Sequence, residues 1–255
     1  MERTTPSGDL AARARDWHHA RHEAVCDVIE PWGHGTVVRA PGYPTYWDYN
    51  LVRVERDPEM TADELIALAD EKLGAAGLAH RRVDIDVAEV AEALRPDFKA
   101  RGWHTLRLLF MHHEGLRRDG PGVEIEEVPY DAVDDLRLAW HHEDFPDQPN
   151  DHHADAREVA LARDARIFAV HDAGVPEAFA QIEYVGDAAE ITQVYVHPDR
   201  RGTGMGTALT TAAIGAAGSV SDLWIAADDE DRPKELYGRL GFRPAWTSME
   251  LTLMP

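Results

Sequence analysis

Residues 190–214 read EITQVYVHPDRRGTGMGTALTTAAI. The first seven, EITQVYV, have the β-branched and aromatic character of a strand. A glycine-rich turn follows, and a helix runs from it through Ala217. Gly202, Gly204 and Gly206 let the backbone approach a ligand with no Cβ in the way. A turn that opens a helix also presents several N–H groups without intrahelical partners, which makes an anion site. Arg200 and Arg201 add positive charge to an acidic half of the chain. These parts make a pyrophosphate cradle. They do not make a P-loop, because Gly-Lys-Ser/Thr is absent, and the glycine spacing is a poor dinucleotide fingerprint. Alone, such a turn is equally well a tight connection.

Working outward, DLWIAA (222–227) reads as a strand, DRPKELYGRL (231–240) as a helix and WTSMELTLM (246–254) as a closing strand. Upstream, VEIEEV (123–128) alternates as a strand, and residues 131–143 and 154–163 read as helices separated by the polar stretch DFPDQPNDHHAD. RIFAVH (166–171) and EAFAQIEYV (177–185) form a hairpin turning at Asp172, Ala173 and Gly174. RRDGPG (117–122) is the best linker in the chain. Before it, residues 9–30 are helix-compatible, with Trp17, Ala20, Ala24 and Val28 at helical spacing, until Pro31, Gly33 and Gly35 break the pattern. YWDYNLVRVE (46–55) reads as a strand, and TADELIALADEKL (61–73) as an amphipathic helix with Thr61 as N-cap and Glu64 three residues on. RRVDIDV (81–87) is a strand, VAEVAEALRPDFKARGW (87–103) a helix ending at a glycine, and LRLLFM (106–111) a strand. Phe98, Gly102 and Trp103 repeat the spacing of Tyr237, Gly241 and Phe242, which points to two copies of one fold. A chance match is the alternative.

Three motifs then stand in order: Val196-x-Pro198-x-x-Arg201, Arg201-x-x-Gly204-x-Gly206 and Tyr237-x-x-x-Gly241-Phe242. On them, residues 123–255 resemble the GNAT N-acetyltransferase superfamily. The resemblance implies an α/β (α+β) fold with two GNAT-like domains, each a mixed, mostly antiparallel sheet flanked by helices. Residues 1–118 are expected to be a degenerate copy without a coenzyme A cradle, since RDPEMTADELIAL follows their strand where glycines are needed. Residues 119–255 are expected to be the catalytic copy.

The resemblance further implies acetyl-coenzyme A (acetyl-CoA) as cofactor and direct attack of an acceptor amine on its thioester. Arg201, Gly202, Thr203, Gly204, Met205 and Gly206 would hold the pyrophosphate. Val196 would pair its backbone with the pantetheine arm, and the Val194 N–H would polarise the thioester carbonyl. Tyr237 matches the family's general acid, with aromatic packing over the cofactor as the plainer role. An ammonium acceptor must lose a proton before it can attack. Glu190 stands where several family members carry a base glutamate, although it could simply be the polar start of a strand. Asp228 and Asp229 are held in reserve. Trp140, Glu143 and Asp144 could wall the acceptor site. Arg232 and Lys234 could reach the cofactor's terminal phosphate or be ordinary surface charge. The expected acceptor is a small, cationic amine. An acyltransferase of the mycothiol synthase type, acting on an amino-sugar conjugate, is the near rival; a non-catalytic acyl-CoA sensor is the rival from another class.

Composition sets the outer bounds. The 255 residues carry a formal net charge of -21, which argues against a nucleic-acid or anionic membrane partner. Residues 121–255 hold most of the excess acid, read either as solubility or as a field attracting a cationic acceptor. Hydrophobic residues at 44% suffice for a full core, and the single cysteine, Cys26, fits a reducing compartment. With no apolar run long enough to span a membrane and no signal-peptide core at the N-terminus, a cytoplasmic location is expected. No metal is expected: His141, His142, Asp144, His152, His153 and Asp155 lack a recognised ligand spacing. Monomer and homodimer both remain open.

Overall fold

Strands from both halves of the chain join in one sheet in the computed structural model, which describes residues 8–115, 122–146 and 150–255. The N-terminal half supplies α1 (Gly8–Glu23), β1 (Val28–Pro31), β2 (Gly35–Arg39), β3 (Leu51–Val54), α2 (Ala62–Ala69), β4 (Arg81–Ile85), α3 (Ala88–Ala100) and β5 (His104–His113). The C-terminal half supplies β6 (Glu126–Val128), α4 (Asp134–Asp144), α5 (His153–Ala162), β7 (Arg166–Asp172), β8 (Val175–Val185), β9 (Ala188–Val196), α6 (Met205–Ala217), β10 (Asp222–Asp228), α7 (Pro233–Arg239) and β11 (Phe242–Leu253). Apart from Gly122, the linker RRDGPG lies outside the described residues, as does the expected domain boundary at 118/119. Among the described residues, no helix is long and apolar enough to cross a membrane.

The strand order, β1-β2-β3-β4-β11-β5-β10-β9-β8-β7-β6, shows that the two copies share one sheet instead of each closing its own. Their last strands are exchanged. β5 pairs with β10 of the other half, β11 pairs with β4, and β5 and β11 lie antiparallel to each other. The internal repeat has a structural counterpart. α3 and α7 each end in a left-handed glycine, Gly102 (φ 80°) and Gly241 (φ 99°), before β5 and β11. The flanking rings repeat too: Phe98 and Trp103 meet edge-on at 5.0 Å, Tyr237 and Phe242 at 6.2 Å. Only glycine takes that left-handed turn at low cost, so the aromatic-x-x-x-Gly-aromatic pattern fixes how each helix hands over to its strand.

Alternation along the strands sorts the residues onto two faces. Ile182, Ile191, Ile225 and Phe242 meet Leu209 and Ala213 of α6 and Tyr237 of α7; Val52, Val83, Ile85 and Leu251 meet Leu65 of α2 and Ala91 and Phe98 of α3. The opposite face is covered by α1, α4 and α5, through Ala14, Trp17, Leu136, Val159 and Ala160.

Some local readings shift. The N-terminal helix stops at Glu23, and Val28–Pro31 form a strand that turns back at Gly33 (φ 106°) into β2. Residues 47–49 form a 3-10 turn and leave only Leu51–Val54 as strand. The buried Asn50 explains this, because its side chain accepts from the Ala40 N–H and donates to the Tyr43 and Tyr46 carbonyls, holding the loop folded. β11 begins at Phe242, four residues before the reading, and β6 keeps only residues 126–128.

Candidate functional site

β9 and β10 run parallel and in register from Ala188/Asp222 to Ile191/Ile225, and then their pairing stops while both strands continue. β10 continues against β5 through Asp228, and β9 against β8 through Val196. The sheet therefore forks. A bulge helps to open it: Gln181 faces Gln193 and Ile182 faces Ile191, leaving Thr192 extra in β9. Beyond the bulge Val194 and Val196 turn to the α6 face. The His197 N–H donates to the Glu177 carbonyl of β8 at 3.0 Å. Antiparallel residues alternate in which edge their backbone groups serve. The N–H and C=O groups of Val194 and Val196 thus point away from β8, into the fork. The Val196 carbonyl accepts from Arg201 Nε at 3.2 Å.

The glycine turn stands at the mouth of this fork. Gly202 (φ 80°) and Gly204 (φ 91°) are left-handed, and Gly204 is the N-cap of α6 with no side-chain cap. The first intrahelical bond there runs from the Ala208 N–H to the Gly204 carbonyl. The N–H groups of Met205, Gly206 and Thr207 thus have no carbonyl to use within the helix. A Cβ on Gly206 would come within 3.7 Å of Val196 and 3.8 Å of Leu236, so any longer side chain would fill the space beside the fork. Open N–H groups, a positive helix end and a gap in the sheet suit a diphosphate followed by an extended arm. The residues present fit coenzyme A.

The matching place in the N-terminal half is closed twice over. β3 and β4 stay paired to their ends, and one further bond, Asp86 N–H to the Val54 carbonyl at 2.9 Å, seals the exit. The N-terminus of α2 has a full capping box: Thr61 accepts from the Glu64 N–H, and the Glu64 carboxylate accepts from the Thr61 N–H at 2.8 Å. That carboxylate occupies the position an anionic ligand would need and repels it.

The two residues read as acid and base come from opposite faces of the sheet. Tyr237 is 6% exposed in the α6/α7 core. Burial pushes its hydroxyl pKa upward, as does the Asp231 charge, so it keeps its proton. Glu190 is 2% exposed on the α1 face, still within the paired part of β9 opposite Trp224, one residue before the last pair. Its carboxylate accepts the Trp17 Nε1–H at 2.8 Å.

Other readings are redistributed. Arg201 is half-exposed, pairs with Glu143 of α4 at 2.7 Å and lies over the Tyr195 ring. Arg200 does not add free charge to the cradle, because Asp172 and Glu177 both neutralise it. Lys234 is held by Asp229 at 3.0 Å, while the Arg232 backbone N–H caps against Asp231. Asp229 also pairs with Arg107 at 2.9 Å, so its carboxylate is shared between two cations. The Asp228 carboxylate accepts from the Glu230 N–H. Trp140 stacks on Tyr195 at 5.6 Å, and Glu143 reaches the Tyr195 hydroxyl at 3.4 Å, so α4 borders the fork. Among the described residues, no group of three or more His, Cys, Asp or Glu could hold a metal. His152 instead packs on Trp47 at 4.3 Å, and burial lowers its pKa to about 4. Residues 147–149 of that loop lie outside the described residues.

Missed from sequence is a polar layer between α1 and the sheet. Arg163 closes α5 and donates to the Tyr49 hydroxyl and to Glu183 Oε2, both at 2.6 Å. Glu183 stands opposite Glu190 in the β8–β9 register. Arg82 of β4 joins Asp84 at 2.8 Å and Glu250 of β11 at 2.6 Å, tying the exchanged strand to its host. A signal did exist in α1: Trp17, His18, Arg21 and His22 recur at one-turn spacing on a single helix side.

Residues 163–244 match the family model described as an acetyltransferase (GNAT) domain. The structure is similar to a functionally unknown conserved protein from Staphylococcus epidermidis, at 14% identity over 89% of this chain and 93% of that one, with a TM-score of 0.70. It is similar to a GCN5-related N-acetyltransferase from Kribbella flavida, at 19% identity over 96% and 95%, TM-score 0.58. It is also similar to a tandem GNAT protein from the clavulanic acid biosynthesis pathway, at 19% identity over 79% and 74%, TM-score 0.50. Likeness at these identities concerns the fold. No curated protein sequence matches the chain.

Proposed function

From the match of residues 163–244 to an acetyltransferase (GNAT) domain we propose that the chain is a member of the GNAT superfamily and an N-acetyltransferase that uses acetyl-CoA and acts on a small amine. One observation carries the reading. The C-terminal half has a forked sheet beside an uncapped glycine helix start, while the N-terminal half has the same elements closed and capped. The N-terminal copy is then a scaffold that lends β5 and α1 to the site and binds no cofactor of its own.

Bound acetyl-CoA supplies an acyl group activated as a thioester. The backbone N–H groups from Gly202 to Gly206 receive its diphosphate, with Arg201 exchanging Glu143 for phosphate oxygen. Val196 and Val194 offer the backbone edge of β9 to the extended arm, and the Val194 N–H stabilises charge on the acyl oxygen. Glu190 takes the proton of the acceptor ammonium. With acetyl-CoA bound, the amine nitrogen would replace sulfur on the acyl carbon; Tyr237 would supply the proton that the departing sulfur needs, and the second proton shed by the nitrogen would restore it. The acceptor is expected from the α1 face, on which Glu190 lies, and in its cationic ammonium form. Titration calorimetry with acetyl-CoA, followed by a thiol-release screen against small amines, tests the assignment. Absence of cofactor binding would overturn it.

Tyr237→Phe separates catalysis from packing. The ring still fills its place against Phe242, so the Michaelis constant for acetyl-CoA should change little. Turnover should fall by roughly 10²–10⁴-fold, with water substitution placing it toward the lower end. An unchanged turnover, with chemistry rate-limiting, would reduce Tyr237 to a packing residue.

A further inference from the structure

Residues 229–232 connect β10 to α7, the helix that carries Tyr237, and this connection is held from the N-terminal half. Arg95 of α3 donates through both Nη atoms to the two carboxylate oxygens of Glu230, each at 2.7 Å. Its Nε donates to the Thr105 hydroxyl of β5 at 3.2 Å. Arg107 of β5 meets the Asp229 carboxylate at 2.9 Å and the Glu92 carboxylate of α3 at 2.7 Å. The Asp229 N–H donates to the Arg107 carbonyl at 2.8 Å. On the other side, Asp229 pairs with Lys234 of α7 at 3.0 Å. The anchors thus run from α3 and β5, through the connection, to the start of α7.

The Arg95 side chain is 10% exposed, which sets it apart from surface charge. Two parallel bonds from a planar guanidinium fix the direction of the partner as well as its distance. The seven residues of α7 are too few to hold a helix in place by their own bonds. Leu236 of α7 stands 3.8 Å from where a Cβ on Gly206 would lie, so the helix borders the glycine turn, and Tyr237 is the next residue. A shift at the start of α7 would move both. The clamp also runs one way. In the repeat that aligns Phe98 with Tyr237, Arg95 corresponds to Lys234, and Lys234 turns to its own connection. The connection ahead of α3 is held within its own half, by His19 of α1 on Asp86 at 2.7 Å. The copy with the uncapped glycine turn is the one whose last helix is held across the halves.

We propose that Arg95 is a positioning residue for acetyl transfer: through Glu230 it fixes the approach to α7, and so the place of the Tyr237 hydroxyl relative to the fork. The proposal rests on the acetyltransferase reading and gives the N-terminal half a part in the chemistry through α3. Arg95 acts only through α7 and needs no contact with cofactor or acceptor.

Amide hydrogen exchange and turnover on the full chain test it together. In Arg95→Gln the amides of residues 229–236 should exchange about tenfold faster, the loss of one charge-assisted pair from the local opening energy. Turnover should fall by roughly 10–10²-fold, as expected for a displaced reacting group, while the Michaelis constant for acetyl-CoA changes little. Arg95→Lys keeps the charge without the planar fork and should restore part of the rate. Glu230→Gln should reproduce the effects of Arg95→Gln. Its side chain is 50% exposed, so this variant decides the matter if Arg95→Gln does not fold. In a Tyr237→Phe background, Arg95→Gln should slow turnover hardly further, because the hydroxyl it places is gone; a role in stability alone would slow both backgrounds equally. The proposal is wrong if exchange over 229–236 is unmoved in the Arg95 and Glu230 variants, or if their turnover losses multiply with that of Tyr237→Phe. A chain that acetylates no amine would bring down the acetyltransferase reading and the role of Arg95 in it, while the exchange comparison would still decide whether the clamp holds α7.

Discussion

Replacing Gly204 with aspartate is expected to weaken acetyl-CoA binding by roughly 10²-fold or more and leave the chain folded. Gly204 is the N-cap of α6 at φ 91°, a left-handed conformation that aspartate adopts more readily than most residues, so the backbone should hold. The new carboxylate would turn to the open N–H groups of the first helical turn. It would then compete with the diphosphate for those donors and oppose its charge. The N-terminal half already shows the outcome, since the Glu64 carboxylate closes α2 in this way. Losing one or two charge-assisted bonds, at ~1.5–3 kcal/mol each, accounts for the size of the effect. Calorimetry on the variant, with circular dichroism as the folding control, checks it. Near-native affinity would remove the cradle from this place.

Glu190→Gln should lower neutral-pH turnover by roughly 10²–10⁴-fold and leave a rate that climbs with pH. Glutamine keeps an oxygen for the Trp17 Nε1–H, so the buried contact at 2.8 Å survives and the fold is not at stake. It cannot take a proton. An acceptor amine of ordinary pKa, ~10.4, is almost wholly protonated at pH 7, and only its free fraction would react. That fraction rises about tenfold per pH unit, and the variant's rate should follow it until the amine is deprotonated. A profile with the shape and height of the unaltered enzyme would clear Glu190 of the role. Asp228 would then be the next residue to test, because Asp229 is committed to Arg107 and Lys234.

Much of the site was legible because its determinants are local. At φ of 80–99° glycine is strongly favoured, so Gly202, Gly204 and Gly241 announce their turns from the sequence. The capping box at Thr61 and Glu64 is four residues long and reads as easily. The internal repeat was visible for the same reason, since the helix-glycine-strand handover at 98–103 and 237–242 is decided within six residues. The hairpin of β1 and β2 was harder. Gly33 was seen only as a helix breaker, and short strands carry too little periodicity to distinguish a turn back from a plain end.

By itself, then, the sequence determined the glycine turn before α6, the alternating core and the twofold repeat of helix and strand, each set by backbone sterics or by one side's hydrophobicity over a few residues. It could not determine which strands become neighbours. β5 and β11 have similar apolar alternation, and either could have closed its own half; only packing of the whole chain sends each into the other's sheet. The tertiary structure alone also opened the fork, since the loss of pairing after Ile191 and Ile225 depends on the bulge at Thr192 and on β5 drawing β10 away. It alone brought Trp17 of the first helix onto Glu190 and beside Arg163, more than 140 residues distant. Burial and charge pairing at such separations depend on where the chain returns in space, and no window of sequence contains both partners.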